Sequence, residues 1–232
     1  MESYHADLLE KVARYAAYYF HRSLIRETAR RRTLLNYGLN EDVLETFQVG
    51  YATPDWRSLT EQLNSRREYV LDSARTLGLV TRGRGGPRDQ FRDRYVFPLF
   101  SDAGSVVGFT SMLAHWLNED YEPKSFDVVR MNSSHSPIFD KRNFVLGGHR
   151  LGHDLLEDST VYVSEDPFET LFFHANGIRT VVCPLVEGAF QTADDHSQTR
   201  RIYREARELK KIHSLGASQS PDPDDLVDDG SC

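Results

Sequence analysis

The chain has 232 residues, of which 39% are hydrophobic and 11% aromatic, and a formal net charge of -7. Those figures fit a globular protein of one large or two small domains with a real core. They exclude a membrane protein of the helical kind, since no apolar run approaches the ~20 residues needed to cross a bilayer. The start, Met1-Glu2-Ser3-Tyr4-His5, lacks the charged and apolar regions of a secretory signal. Cys183 and Cys232 form neither a disulfide framework nor a zinc quartet, so a reducing cytoplasm is the expected compartment and no zinc is expected.

Residues 5–36 read as one or two helices, with Leu8, Leu9, Val12, Tyr15, Ala16, Tyr19 and Phe20 at three- and four-residue spacing. Gly38 is the expected stop, and Asn40 the cap of a helix over 41–47. Val49–Ala52 is a short extended piece. Pro54-Asp55-Trp56 is expected to start a helix running to about Asn64, and Tyr69–Leu77 forms another, ended by Gly78. Thr81–Gln90 reads as a glycine-rich basic loop without the Gly-Lys-Ser/Thr ending of a nucleotide P-loop.

Tyr95–Phe100 and Ser105–Thr110 read as a hairpin joined by Ser101-Asp102-Ala103-Gly104. Residues 114–128 are a polar connection and Val129–Ser136 an irregular stretch. Ile138–Leu146 returns as a short strand, and His149–Leu156 is a short helix. His149 and His153 are spaced to share a helix face, but no further metal ligand accompanies them.

Val161–Ser164 is a buried strand that ends on Glu165, Pro167 opens a helix, Gly177 closes it, and Arg179–Pro184 is a second buried strand. This places Glu165 at the carboxyl end of a strand in an expected parallel sheet, where α/β proteins bind ligands. A carboxylate there also serves simply to cap the following helix. Thr192 caps a charged helix over about 193–213, and 214–232 is too polar to fold.

Charge is unevenly spread. The tail aspartates Asp222, Asp224, Asp225, Asp228 and Asp229 carry five of the negative charges, leaving -2 for the rest. Arg14, Arg22, Arg26, Arg30, Arg31 and Arg32 face only Glu27, and Arg82, Arg84, Arg88, Arg92 and Arg94 face Asp89 and Asp93. Such patches suit phosphates, and equally serve as solvated faces.

Four ordered segments resemble the bacterial DnaG-type primases. Arg88-Asp-Gln-Phe-Arg-Asp-Arg-Tyr-Val-Phe-Pro-Leu99 with Asp102-Ala-Gly-Ser-Val-Val-Gly-Phe109 is similar to that family's Arg-Phe-Arg-x-Arg-x-x-Phe-Pro-Ile and Asp-x-x-Gly-x-x-x-Gly-Phe. Asn132–Lys141 is similar to its Leu-Asn-Ser-Pro-Glu-Thr-x-x-Phe-x-Lys. Glu165-Asp-Pro-Phe-Glu169 is similar to the Glu-Gly-Tyr-Met-Asp that opens the toprim domain. Tyr37-Gly-Leu39 and Phe47–Ala52 fit the helical start. The toprim Asp-x-Asp strand has no counterpart, since Asp222-Pro-Asp224 lies in the polar tail without a preceding apolar strand.

The resemblance implies an α+β chain: a helical and small antiparallel-sheet primase-core subdomain over 1–157, a truncated α/β toprim-like subdomain over 158–213, and an acidic tail over 214–232. It implies primer synthesis on single-stranded DNA from ribonucleoside triphosphates in DNA replication, with a replicative helicase as partner. Glu165 would be the general acid/base or metal-linked glutamate, with Asp166 and Glu169 adding oxygens for Mg²⁺ or Mn²⁺. Arg92, Arg94, Arg130, Asn132 and Lys141 would grip template or triphosphate. The missing Asp-x-Asp suggests a second polypeptide that completes the site. The alternatives are a catalytically degenerate module binding single-stranded DNA or replisome proteins, and a fragment of another toprim enzyme.

Overall fold

A computed structural model describes residues 2–64, 68–101, 103–117, 131–133, 144–151, 161–164 and 167–185. The expected helix over 193–213, the tail, His153 and Cys232 lie outside these. The architecture is α+β.

Helix α1 (Glu2–Arg26) turns Leu9, Val12, Ala13, Ala16, Ala17 and Phe20 inward, the face that its three- and four-residue spacing sets. Helices α2 (Thr28–Asn36) and α3 (Glu41–Thr46) follow. Gly38 closes α2 at φ +99°, with Leu39 N–H donating to the Leu34 carbonyl and Gly38 N–H to that of Leu35. This is a Schellman closure, and α3 ends the same way with Gln48 at φ +47°. Asn40 does two jobs. Its Oδ1 accepts from Val43 N–H at 2.9 Å to cap α3, and its Nδ2 donates to the Ala175 carbonyl at 3.1 Å.

Strand β1 (Gly50–Ala52) leads to α4 (Ser58–Asn64) and α5 (Glu68–Thr76). The expected helix start at Pro54 is corrected: α4 begins at Ser58. Its first N–H groups are held from 30 residues away, by the Asp89 carboxylate, which accepts from Leu59 N, Thr60 N and Thr60 Oγ1 at 2.6–2.8 Å. The expected loop over 81–90 is also corrected. It is a hairpin of β2 (Val80–Gly83) and β3 (Gly86–Asp89), paired from Val80↔Asp89 to Gly83↔Gly86. The Arg84-Gly85 pair makes the two-residue turn, so the glycines serve the turn and do not dissolve the strands.

Strands β4 (Arg94–Phe100) and β5 (Val106–Leu113) form the expected hairpin. Strand β6 (Met131–Ser133) pairs with β5 inside the stretch expected to be irregular. The sheet order is β1-β4-β5-β6, antiparallel throughout. Pro98 lies beyond the end of β1, so no ladder to β1 is broken there.

Apolar side chains cover both faces of this sheet. On one, Val96 and Phe109 pack with α1, α4 and α5; on the other, Tyr95, Phe97, Leu99 and Met112 pack with α2 and α3. A bulge pairs Phe100 with Val106, which turns Val106 to the α1 side and Val107 to the other.

A second sheet has the order β7-β9-β8, from β7 (Val145–Leu146), β8 (Tyr162–Val163) and β9 (Val181–Pro184). Strands β8 and β9 are parallel and joined through α6 (Pro167–Ala175), the expected strand–helix–strand unit. Phe168, Leu171, Leu146 and Cys183 belong to the same buried cluster as Tyr95 and Phe97. Among the described residues no helix is long and apolar enough to cross a membrane.

Candidate nucleic-acid interface

The basic part of the site is built around Trp56. This indole is 53% exposed, unusual for so large an apolar group. The Arg92 guanidinium carbon lies 3.2 Å from its ring centroid, and that of Arg88 lies 5.3 Å away. Hydrogen bonds hold them together. Asp89 N–H donates to the Trp56 carbonyl at 2.9 Å, Arg57 donates to the Gly85 carbonyl, and the Asp89 carboxylate grips α4. The β2–β3 hairpin is thus tied to the segment that carries the tryptophan. Burial, and then the neighbouring Arg88 cation, lower the pKa of Arg92, with Asp89 opposing; an arginine nonetheless stays charged. Sequence reading missed Trp56, whose only signal was a large aromatic beside Pro54-Asp55 ahead of a helix.

Asp93 stands between the two arginines expected to form the groove. Its φ is +46°, in the left-handed region. Tyr51 Oη donates to its Oδ1 at 2.7 Å and Arg30 Nη2 at 3.0 Å, and His115 Nδ1 lies 4.0 Å from its Oδ2. Asp93 N–H donates to the Thr53 carbonyl, and Ala114 N–H donates to the carbonyl of Asp93. The Arg30 guanidinium sits 5.3 Å from the Tyr51 ring centroid, and the Arg30 carbonyl accepts from Tyr95 Oη at 2.9 Å. Burial and the adjacent Asp93 carboxylate push the Tyr51 hydroxyl up to about 12. The α1–α2 arginines divide accordingly. Arg30 and Arg31 are paired, Arg31 with Glu41, while Arg14, Arg22, Arg26 and Arg32 are exposed.

Arg94 opens β4 opposite Ala52 and Leu113 and is half-buried. Asn132 lies in β6 opposite Ser111, with its backbone alone described. Arg130 and Lys141 lie outside the described residues.

The acidic part sits on the β8–α6–β9 unit. Glu165 and Asp166 lie outside the described residues, in the link from Ser164 to Pro167. The strand end before it, Ser164, is held to β9 and to α6. Ser164 N–H donates to the Val182 carbonyl at 2.9 Å, and Ser164 Oγ lies 2.5 Å from Thr170 Oγ1 in α6. Glu169 is half-buried in the first turn of α6, where a carboxylate is favoured by the helix dipole. Among the described residues no group of three or more His, Cys, Asp or Glu is placed to hold a metal.

The two parts are joined through Phe168. Its ring meets Tyr95 and Phe97 edge-on, each at 5.4 Å between centroids. The neighbour of Glu169 therefore packs on the neighbour of Arg94.

Residues 19–151 match the sequence profile of the family described as DNA primase catalytic core, N-terminal domain. The chain belongs to the DnaG-type primase family. Among its relatives, the DNA primase of Clostridium acetobutylicum is 29% identical over 186 residues, covering 80% of this chain and 29% of that protein. That of Halalkalibacterium halodurans is 30% identical over 205 residues, covering 86% and 32%. The chain thus spans about a third of the length of the curated DnaG relatives it matches.

Solved structures share the fold. A DnaG primase catalytic domain bound to ssDNA superposes with a TM-score of 0.67 at 21% identity, covering 82% of this chain and 58% of that one. The RNA polymerase domain of Mycobacterium tuberculosis DnaG, in complex with a double-stranded DNA oligomer bearing a 6-nucleotide overhang, gives 0.66 at 23%, covering 86% and 59%.

Proposed function

We propose that this chain is part of a DnaG-type primase, a DNA-directed RNA polymerase that makes short RNA primers on single-stranded DNA for replication. Its basic face grips the template. Trp56 stacks on bases or sugars, while Arg88, Arg92 and Arg94 neutralise phosphates, with Arg130, Asn132 and Lys141 extending the grip. Residues 1–157 form the core subdomain and 158–213 a partial toprim unit. Ribonucleoside triphosphates are the substrates and the replicative helicase the partner, in the cytoplasm.

Glu165, Asp166 and Glu169 make an all-carboxylate donor set, the chemistry that suits Mg²⁺ or Mn²⁺. The metal, when bound, offsets charge on the phosphoryl oxygens during transfer. Glu165 takes the proton from the 3′-hydroxyl as it attacks the α-phosphate, the arginines hold the phosphates in line, and pyrophosphate leaves as the bond to the β-phosphate breaks. A second polypeptide supplies the Asp-x-Asp carboxylates.

The observation that carries this reading is the Phe168 contact with Tyr95 and Phe97. It joins α6, which carries Glu169, to β4, which opens on Arg94, in one buried cluster. The test is primer synthesis on single-stranded DNA by the purified chain, alone and with the product of the adjacent reading frame. Primers made only by the pair support the reading. No primers from either, where a full-length DnaG relative is active under the same conditions, overturn it.

A further inference from the structure

We propose that Asp93 is a positioning residue, which holds the backbone turn that lays Arg92 over Trp56 for contact with the template; this rests on the nucleic-acid reading of the face above. In an extended strand, residues i and i+2 project from the same side. The run from Arg92 to Arg94 is not such a strand. Arg92 lies flat on Trp56, outside the sheet, whereas Arg94 is the first paired residue of β4. The residue between them breaks the alternation, with φ +46°.

A non-glycine residue holds that conformation only where its surroundings over-determine it. Here three separate pieces of chain do so: Tyr51 and the Thr53 carbonyl in and just beyond β1, Arg30 of α2, and Ala114 after β5. The carboxylate is turned toward Tyr51 and Arg30. A negative group directed at template would repel it, so an acid in the middle of this basic segment makes sense as an internal anchor. Arg30 is held in turn by the bond from Tyr95 Oη to its carbonyl, so the anchor is fixed from both faces of the contact.

The test uses the full chain with Trp116→Phe, which leaves Trp56 as its sole tryptophan. Trp56 emission is read without DNA, and binding of a fluorescein-labelled oligodeoxythymidylate is read as a function of salt. Asp93→Ala should shift the emission to that of Arg92→Ala. It should also weaken binding about tenfold and flatten the log–log salt slope by ~0.7, one single-strand phosphate contact. Asp93→Asn, which tolerates left-handed backbone and keeps an acceptor, should restore most of both.

If Asp93→Ala lowers the melting temperature but leaves emission and salt slope unchanged, Asp93 is merely structural and the proposal falls. If the parent chain does not bind the oligonucleotide at all, the nucleic-acid reading fails, and the emission alone then decides the positioning. Should Asp93→Ala not fold, Tyr51→Phe removes one partner of the carboxylate and gives the same readings at smaller amplitude.

Discussion

The Arg92 guanidinium carbon lies 3.2 Å from the centroid of the Trp56 ring, a cation laid flat on an indole that is half open to solvent. Such a pair presents a π-face and a charge together, the combination that single-stranded nucleic acid meets with its bases and phosphates. Trp56→Ala should weaken binding of a short single-stranded DNA by about 1–3 kcal/mol with little change in salt slope. Arg92→Ala should instead reduce the slope. Fluorescence anisotropy across a salt series separates the two, and equal slopes for both variants would count against the division of labour.

Asn40 holds the start of α3 and the end of α6 with one side chain. Asn40→Asp keeps the acceptor for Val43 N–H, but loses the donor to the Ala175 carbonyl and places a negative charge at the carboxyl end of α6. It should cost about 1 kcal/mol. Asn40→Ala, which loses both bonds, should cost roughly 1–3 kcal/mol. Urea denaturation midpoints rank the two.

Gly147 is at φ +88°, and a Cβ there would lie 2.8 Å from the Val181 carbonyl oxygen. Gly147→Ala should therefore destabilise the seam between β7 and β9 by about 2 kcal/mol or more. Hydrogen exchange should report faster opening of β9 than of β4. Uniform loss across both sheets would show that the two unfold as one unit.

Two imidazoles, His174 buried and His149 half-buried, give the fold a pH dependence. His149 packs against Phe47 and Phe100 at 5.5 and 4.7 Å, and burial, reinforced by Arg150 and His174, lowers its pKa from 6.5 to about 4. His174 is lowered too, chiefly by burial, although its contact with the Val181 carbonyl at 2.9 Å opposes this. Both are held below the ordinary imidazole range in the native state, so the unfolded chain binds more protons as pH falls below 6.5, down to about 4 for His149. Stability should be full above pH 6.5 and fall as pH drops through that window, by at most about 1.4 kcal/mol per pH unit per histidine. Urea melts at pH 7.5 and pH 5 test this, and His149→Phe should remove part of the difference.

Local signals in the sequence were read well. The spacing of Leu9, Val12, Ala16 and Phe20 defines the buried face of α1, Gly38 and Gly78 end helices, and the β-branched run before Pro167 makes a parallel strand pair with 181–184. What failed was distant in sequence. The start of α4 depends on Asp89, and β6 exists through its partner β5. The hairpin over 80–89 was hidden because its glycines and proline resemble those of a loop. Of the candidate site, the basic cluster at 88–94 and Glu169 were legible. Trp56 was not, because its meaning comes from the hairpin folded over it.

Helix α1 packs on β1 and β5, and Ser105 Oγ donates to Glu10 Oε1 across 95 residues. The helix is therefore translated long before the last of its partners, β5, exists. At ~5–20 residues per second, the 87 residues from Arg26 to Leu113 take roughly 4–17 s to appear. Through that interval the apolar face of α1 is covered only in part, first by β1 and then by α4 and α5. The part left for β5 stays open until the hairpin is made, and the exposed Arg14, Arg22, Arg26 and Arg32 favour solubility of the helix in the meantime.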